Sequence, residues 1–161
     1  KQKTAYEIRP RDWSSDVCSS DLQGLDGSPG RLLRLLTERP RTVLLGTAAF
    51  WEGIDVQGDA LSQILVARLP FPVPNDPVYA GRAELFADPF AEYAVPQAVL
   101  RFRQGFGRLI RSATDRGVFA VLDSRIARRS YGEVFLDSLP DCEVRQVRAD
   151  ALPWVVEEWL G

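Results

Sequence analysis

A glutamine and two arginines in the second half of the sequence have the spacing of one polar helix face. In the segment QGFGRLIR, Gln104, Arg108 and Arg111 stand at positions i, i+4 and i+7. Because each helical residue turns by about 100°, these side chains fall within roughly 60° of each other. An arginine fork in this arrangement can stabilise charge on a transferring phosphoryl group. A solvated helix face whose arginines pair with nearby acids has the same spacing, so both interpretations remain open.

The helix that would carry these arginines also has an apolar side. Five residues of this side can pack on a sheet: Val99, Phe102, Phe106, Leu109 and Ile110. Gly105 and Gly107 each cost about 1 kcal/mol relative to alanine in a helix interior. We therefore expect a ligand or another backbone to approach them closely.

The composition excludes several kinds of site. Lys1 and Lys3 are the only lysines, and histidine and methionine are absent. A phosphate-binding loop of the G-x-x-x-x-G-K-[ST] kind needs a lysine, so the chain alone cannot be a complete P-loop ATPase. We therefore expect the chain to be a fragment. Cys18 and Cys142 are too few for a zinc site or an iron–sulfur cluster, so no metal site is expected here.

The 161 residues are 45% hydrophobic and 26% charged, which fits one globular domain. The net charge of −2 neither supports nor excludes DNA binding, which would need a local basic patch or a missing partner domain. No apolar run approaches the roughly 18 residues of a membrane span, so no membrane partner is expected. The scarcity of cysteine favours the cytoplasm.

The elements that must position the arginines alternate between helix and strand. In chain order the patterns predict a helix over 30–38, a strand over 42–47, a strand over 63–71, a helix over 79–86, a helix from Pro96 through Arg111, a strand over 117–122, a helix over 131–138, a strand over 143–147 and a helix over 152–160. This order implies an α/β fold with a mainly parallel sheet. Ligands of such sheets collect beyond the carboxyl ends of the strands, where the WEGID and DSR loops lie.

The first 22 residues differ from the rest. They hold both lysines and have no helical or strand periodicity. Back-translated, residues 1–8 and 12–22 resemble one frame of a common sequencing-library adapter. We expect residues 1–22 to be an adapter-derived or disordered tail, with a natural flexible tail as the alternative. The domain proper would then span 23–161.

Four ordered segments resemble those of the DinG-type (DinG/XPD-like) superfamily 2 DNA helicases. QGFGRLIR is similar to motif VI, Q-x-x-G-R-x-x-R, and FWEGID, residues 50–55, is similar to motif V. The segment RLPFPVPNDPV looks like the connection between these motifs, and VLDSRI resembles a D-x-R segment that places Asp123 and Arg125. The resemblance implies a second RecA-like domain, N-terminally truncated, with a P-loop NTPase-type three-layer fold.

The resemblance also implies roles for single residues. Arg108 and Arg111 would face the γ-phosphate of ATP bound by a missing first RecA-like domain of the same polypeptide. Gln104 would orient the nucleotide or the surroundings of the attacking water, with Gly107 beside it.

In motif V, Glu52, Gly53 and Asp55 would couple hydrolysis to strand movement, or form a loop that pairs structurally with the arginines. Thr47 would contact a DNA phosphate or cap its turn, and Trp51 would contact DNA or pack.

The implied parent protein uses ATP with Mg²⁺ to translocate on single-stranded DNA and unwind duplexes, while this chain alone is inactive. A helicase–nuclease fusion and a non-catalytic binding or interaction module remain alternatives. Phe71 and Trp154 are expected in the core. The pair Arg128 and Arg129 is expected to be solvated, with a nucleic-acid contact as the alternative.

Overall fold

The computed structural model describes residues 19–22, 27–39, 42–47, 61–111 and 115–161. They belong to two compact units, Lys1–Thr47 and Ala48–Gly161, each of which is described by itself. Within these ranges, every helix is too short or too polar to cross a lipid bilayer.

The first unit is a strand–helix–strand element. Strands β1 (Ser19–Leu22) and β2 (Thr42–Leu45) pair in parallel. Helix α1 (Pro29–Glu38) lies between them in the chain, with a proline in its first turn, where a missing N–H is tolerated. Leu32 and Leu36 are buried one turn apart. The helix and the strand predicted for this region are confirmed.

Strand β1 lies in the stretch that the sequence assigns to a tail. Its four residues pair with β2 from Ser19 opposite Thr42 to Leu22 opposite Leu45. Residues 1–18 are outside the described part of the chain. The boundary between tail and domain at Gln23 stays a prediction.

The second unit is organised around another parallel pair. Strand β3 (Gln63–Val66) pairs along its whole length with β4 (Val118–Val121). The crossover between them contains helix α2 (Pro77–Ala83), a π-helical segment (Phe90–Ala94) and helix α3 (Val95–Leu109). Parallel strands require such long connections. Because both strand pairs are parallel and connected through helices, the predicted α/β class is confirmed.

Three helices follow β4: α4 (Arg125–Arg128), α5 (Gly132–Asp137) and α6 (Leu152–Leu160). The predictions of a helix over 131–138 and another over 152–160 are therefore confirmed.

The strand predicted over 143–147 is wrong. Residues 142–148 take no regular structure and are all exposed. Arg145 pairs across two residues with Glu143 at 2.6 Å, and with Glu158 of α6 at 3.6 Å. An alternating pattern forms a strand only where a neighbouring strand pairs with it. Here the polar side chains bind one another instead.

The core of the second unit lies on one face of the β3–β4 pair. Its buried centre is formed by Leu69, Ala98, Phe102 and Phe135. Phe71 packs against this centre, which confirms its prediction. Trp154 is 79% exposed, so its predicted core position is wrong. Helix α6 instead turns other apolar residues toward the sheet, where a groove of about 600 Å³ is lined by Gln63, Leu65, Val118, Ala120, Leu152, Pro153, Val156, Glu157, Leu160 and Gly161.

Candidate functional site

Helix α3 is held on the sheet by aromatic side chains. Phe102 is fully buried and Phe106 is 8% exposed. Their rings lie 5.2 Å and 5.5 Å from the ring of Phe119 in β4, in edge-to-face arrangements. Such pairs contribute about 0.5–1.5 kcal/mol each beyond the burial of their area. The predicted apolar side of this helix is confirmed for the buried Phe102, Phe106 and Leu109, which fix the polar side in position, whereas Ile110 lies beyond the end of the helix.

The polar side of α3 carries part of the predicted phosphate site. Gln104 and Gly107 are exposed, and Arg108 is half-buried. Gln104 and Arg108 are both within the helix, so the shared face predicted for them is confirmed. A Cβ atom built on Gly107 would meet nothing within 4 Å in the described part of the chain. Gly107 thus leaves space into which a ligand can come close to the helix backbone.

Arg111 does not continue this helical face. The helix ends at Leu109, because Ile110 is extended, with φ −115° and ψ 109°. The N–H of Arg111 donates to Oδ2 of Asp115 at 2.8 Å instead of to a helix carbonyl. The prediction that α3 runs through Arg111 is therefore wrong, and Asp115 binds its backbone N–H. Its predicted role remains untested.

The other predicted site residues are placed separately or lie outside the described residues. Thr47 is exposed, two residues beyond β2, in the first unit. The motif V residues Trp51, Glu52, Gly53 and Asp55 fall within 48–60, which the structure does not describe. Their roles in coupling and DNA binding stay predictions.

A second polar centre joins the carboxyl ends of β3 and β4. The Asp123 side chain is 8% exposed and follows β4 by two residues. Its Oδ2 accepts the N–H of Leu69 at 2.9 Å, and Arg125 Nε donates to both carboxylate oxygens at 2.9 Å and 3.0 Å. The carboxylate thus connects the chain after β3 to the start of α4. The predicted D-x-R pair is an ion pair that supports the fold.

The two charges of this pair stabilise each other. The Arg125 guanidinium holds the pKa of the Asp123 carboxyl well below its usual range, although burial opposes this effect. Asp123 in turn raises the pKa of Arg125. Both groups stay charged at neutral pH, and the shifted pKa values make the Asp123 carboxylate a weak base and the Arg125 guanidinium a weak acid.

Beside this pair is a feature that the sequence analysis missed. The Arg125 guanidinium lies 5.5 Å from the ring centroid of Phe71, and Phe71 stacks on Phe90 at 5.6 Å. Tyr131 meets both rings edge-on, at 5.5 Å and 5.4 Å. The available signal was the placement of Phe71 and Phe90 directly after Pro70 and Pro89, which limit the backbone. Eighteen residues separate Phe71 from Phe90 in the sequence, so the sequence did not indicate that their rings are in contact.

Among the described residues, no group of three or more Asp, Glu or Cys side chains could hold a metal ion. The described residues of the second unit offer guanidinium groups and, at Gly107, a helix face with space for a ligand. The planar fork of a guanidinium can donate two hydrogen bonds to phosphate oxygens.

Sequence comparisons relate the chain to a known family. The family described as helicase C-terminal domain matches residues 14–142, so the match begins within the predicted tail. The chain is similar to the 3'-5' exonuclease DinG of Bacillus subtilis (strain 168), with 45% identity over 130 residues, 78% of this chain and 14% of that protein.

Two further relatives are named as helicases. The chain is 46% identical over 124 residues to the ATP-dependent DNA helicase YoaA of Haemophilus influenzae, covering 74% of this chain and 19% of that protein. It is 44% identical over 119 residues to the ATP-dependent helicase DinG of Mycobacterium tuberculosis (strain H37Rv), covering 71% and 18%. The chain therefore spans less than one fifth of the length of these three relatives.

Proposed function

Because the chain belongs to the helicase C-terminal domain family, we propose that it is the second motor domain of an ATP-dependent DNA helicase. The parent protein translocates on single-stranded DNA and unwinds duplexes. The observation that carries the proposal is helix α3, whose aromatic side is locked on β4 while Gln104, Gly107 and Arg108 occupy its other side. A rigid helix with an open polar side can present a guanidinium to a phosphate without reorganising.

Arg108 and Arg111 act on ATP bound by the first RecA-like domain of the same polypeptide. When ATP is hydrolysed with Mg²⁺, negative charge builds up on the oxygens of the γ-phosphoryl group. Arg108 neutralises this charge from α3, and Arg111 does so from beyond the end of the helix, where Asp115 binds its backbone N–H. Gln104 orients the nucleotide from the same helix face, and Gly107 lets the phosphate approach.

The motif V residues connect this site to DNA. Glu52, Gly53 and Asp55 couple hydrolysis to strand movement, and Thr47 and Trp51 contact the strand. This assignment is supported by the resemblance of FWEGID to motif V. A DNA substrate and a first motor domain as partner imply work in the cytoplasm, beside the chromosome.

The arginine assignment is tested by Arg111→Ala in the full-length helicase. We expect DNA-stimulated ATP hydrolysis to fall by at least about 10³-fold, the lower range for a guanidinium acting on a transferring phosphoryl group. Nucleotide affinity should change little, because the first domain binds most of the nucleotide. Turnover and affinity are measured separately, by phosphate release and by binding of a fluorescent ATP analogue.

Arg103→Ala is the matched control. Arg103 is an exposed arginine on α3, next to Gln104 in the chain but outside the motif. Its loss should leave turnover within about twofold of the unaltered protein, as is usual for solvated surface charges. Near-normal turnover of Arg111→Ala, or equal losses in the two variants, would refute the assignment.

A helicase fused to a nuclease is the second candidate. It is favoured by the similarity to a relative named as a 3'-5' exonuclease, of which this chain covers only 14%. The full-length protein would then shorten 5'-labelled single-stranded DNA from its 3' end in the presence of a divalent cation. DNA that remains intact under these conditions contradicts the fusion and leaves the helicase proposal standing.

A further inference from the structure

Exposed arginines gather where β3 and β4 end. Arg68 follows β3 by two residues, and Arg128 and Arg129 end helix α4, which begins two residues after Asp123. All three arginines are exposed. The hydrogen bond from Leu69 to Asp123 holds the two strand ends together. The arginines are therefore brought to one edge of the parallel pair, the edge at which ligands of such sheets bind.

The buried acid at this edge is already neutralised. Asp123 is engaged by Arg125, so its charge does not offset that of the other arginines. Two acids lie near the aromatic end of this surface: Asp88 and Glu92 flank Phe90 in the chain. Asp88 Oδ1 accepts the N–H groups of Phe90 and Ala91 at 3.1 Å and 3.0 Å. The Asp88 carboxylate is thus engaged by the backbone that carries Phe90.

An aromatic ring is presented at that second end. Phe90 is 48% exposed. One face of its ring stacks on Phe71, and the edge-on ring of Tyr131 fixes the pair from the side. The guanidinium of Arg125 lies over the ring of Phe71, 5.5 Å from its centroid. The ring of Phe90 is therefore held in one orientation, which lowers the entropy lost when a flat partner stacks on it.

We propose that this surface, formed by Arg68, Arg128, Arg129 and Phe90, binds single-stranded DNA. Phosphates lie along the arginines and an unpaired base stacks on Phe90. A basic track combined with an aromatic platform is how proteins bind single strands without reading sequence. A duplex has no free base face to offer, which favours the single strand. The choice of DNA as the polyanion rests on the proposed helicase function.

The test measures binding of a fluorescent oligothymidylate to the 161-residue chain by anisotropy, over a range of salt concentrations. Replacing Arg128 and Arg129 together by alanine should weaken binding and reduce the slope of log affinity against log salt. The expected reduction is about 1.4, from about 0.7 for each phosphate contact on a single strand. A purely structural defect would weaken binding without this change in slope.

Variants of Phe90 should show the opposite pattern, a change in affinity without a change in the salt slope. Phe90→Leu keeps apolar contact with Phe71 but removes the ring, so affinity should fall by roughly 5- to 150-fold with an unchanged slope. Phe90→Trp keeps a stacking ring and should retain the affinity. The double variant Arg31→Ala with Arg34→Ala, on exposed positions of α1, removes the same charge elsewhere and should keep the slope.

An unchanged slope in the Arg128 and Arg129 variant, or an equal change in the α1 variant, would overturn the proposal. So would unchanged affinity in Phe90→Leu, absence of DNA binding by the chain, or competition by polyglutamate as strong as by DNA, which would indicate an acidic protein partner. These outcomes do not affect the Arg111→Ala result, which reports the phosphate site alone. Failure of the surface and failure of the phosphate site are thus distinguishable.

Discussion

Arg125 and Arg108 lie in the same unit and were both singled out by motif resemblance, yet the fold uses them differently. Arg125 binds a nearly buried carboxylate and covers the ring of Phe71, so it is part of what holds the strand ends together. Arg108 is on the polar side of a helix whose opposite side is packed on β4. The aromatic residues of α3 supply its packing, and this packing positions Arg108.

The two arginines therefore have different roles, which motif resemblance alone cannot distinguish. Loss of a group that supports the fold lowers the free energy of unfolding, whereas loss of a group carried by the fold changes chemistry at nearly constant stability.

Asp123→Ala should have the largest effect. It leaves the Leu69 N–H and the Arg125 guanidinium without their acceptor. Breaking a fully buried pair costs about 3–5 kcal/mol. Because the Arg125 side chain is 42% exposed and partly screened by water, we expect about 2–3 kcal/mol. Urea unfolding of the chain, followed by circular dichroism, measures the loss.

The exposed pair between Arg148 and Asp150, 3.0 Å apart, provides the control. Asp150→Ala should leave the unfolding midpoint unchanged, and a loss equal to that of Asp123→Ala would contradict the special role of the strand-end pair. Acid gives a second check. Since the pKa of Asp123 is lowered in the fold, its stabilisation is present above about pH 4 and is lost as the pH falls below that value. Asp123→Asn should lack this acid-dependent loss.

Gly132→Ala should have the next largest effect. Gly132 is buried at the start of α5, and an added Cβ would overlap the carbonyl oxygen of Ile126. Because backbone, not a flexible side chain, must move, we expect a loss of about 2 kcal/mol. Thermal unfolding of the chain shows it as a lowered Tm.

Gly107→Ala is the matched glycine on α3. Its Cβ would meet nothing in the described structure, so the change should raise stability by up to about 1 kcal/mol through helix propensity. In the full-length helicase the same change should lower ATP turnover, because the phosphate would be kept away. If Gly107→Ala destabilised the chain as much as Gly132→Ala, the open helix face would be refuted.

The sequence predicts the parts of this fold that depend on local periodicity. The leucines of α1 and the aromatic residues of α3 repeat at helical spacing, and the apolar run of β4 is bounded by a glycine and an aspartate. Each was placed correctly, because a buried stripe or a buried strand needs such a pattern.

The errors occur where contacts outside the helical or strand pattern decide the structure. The end of α3 depends on Asp115, which captures the Arg111 N–H from outside the helix. The stacking of Phe71 on Phe90 depends on the path of the crossover, including its π-helical segment. The site was therefore predictable as a set of residue types on α3, but the position of Arg111 and the stacking of Phe71 on Phe90 were not.

The most direct test of the contrast is Arg108→Ala in the full-length helicase. Its DNA-stimulated ATP turnover is measured at saturating ATP and DNA, beside its Tm. We predict a loss of turnover of at least about 10³-fold, with a change in stability of about 1 kcal/mol or less. Arg108→Lys should also be strongly impaired, because a point charge lacks the planar fork. Near-normal turnover of Arg108→Ala, or a loss fully explained by unfolding, would contradict the account.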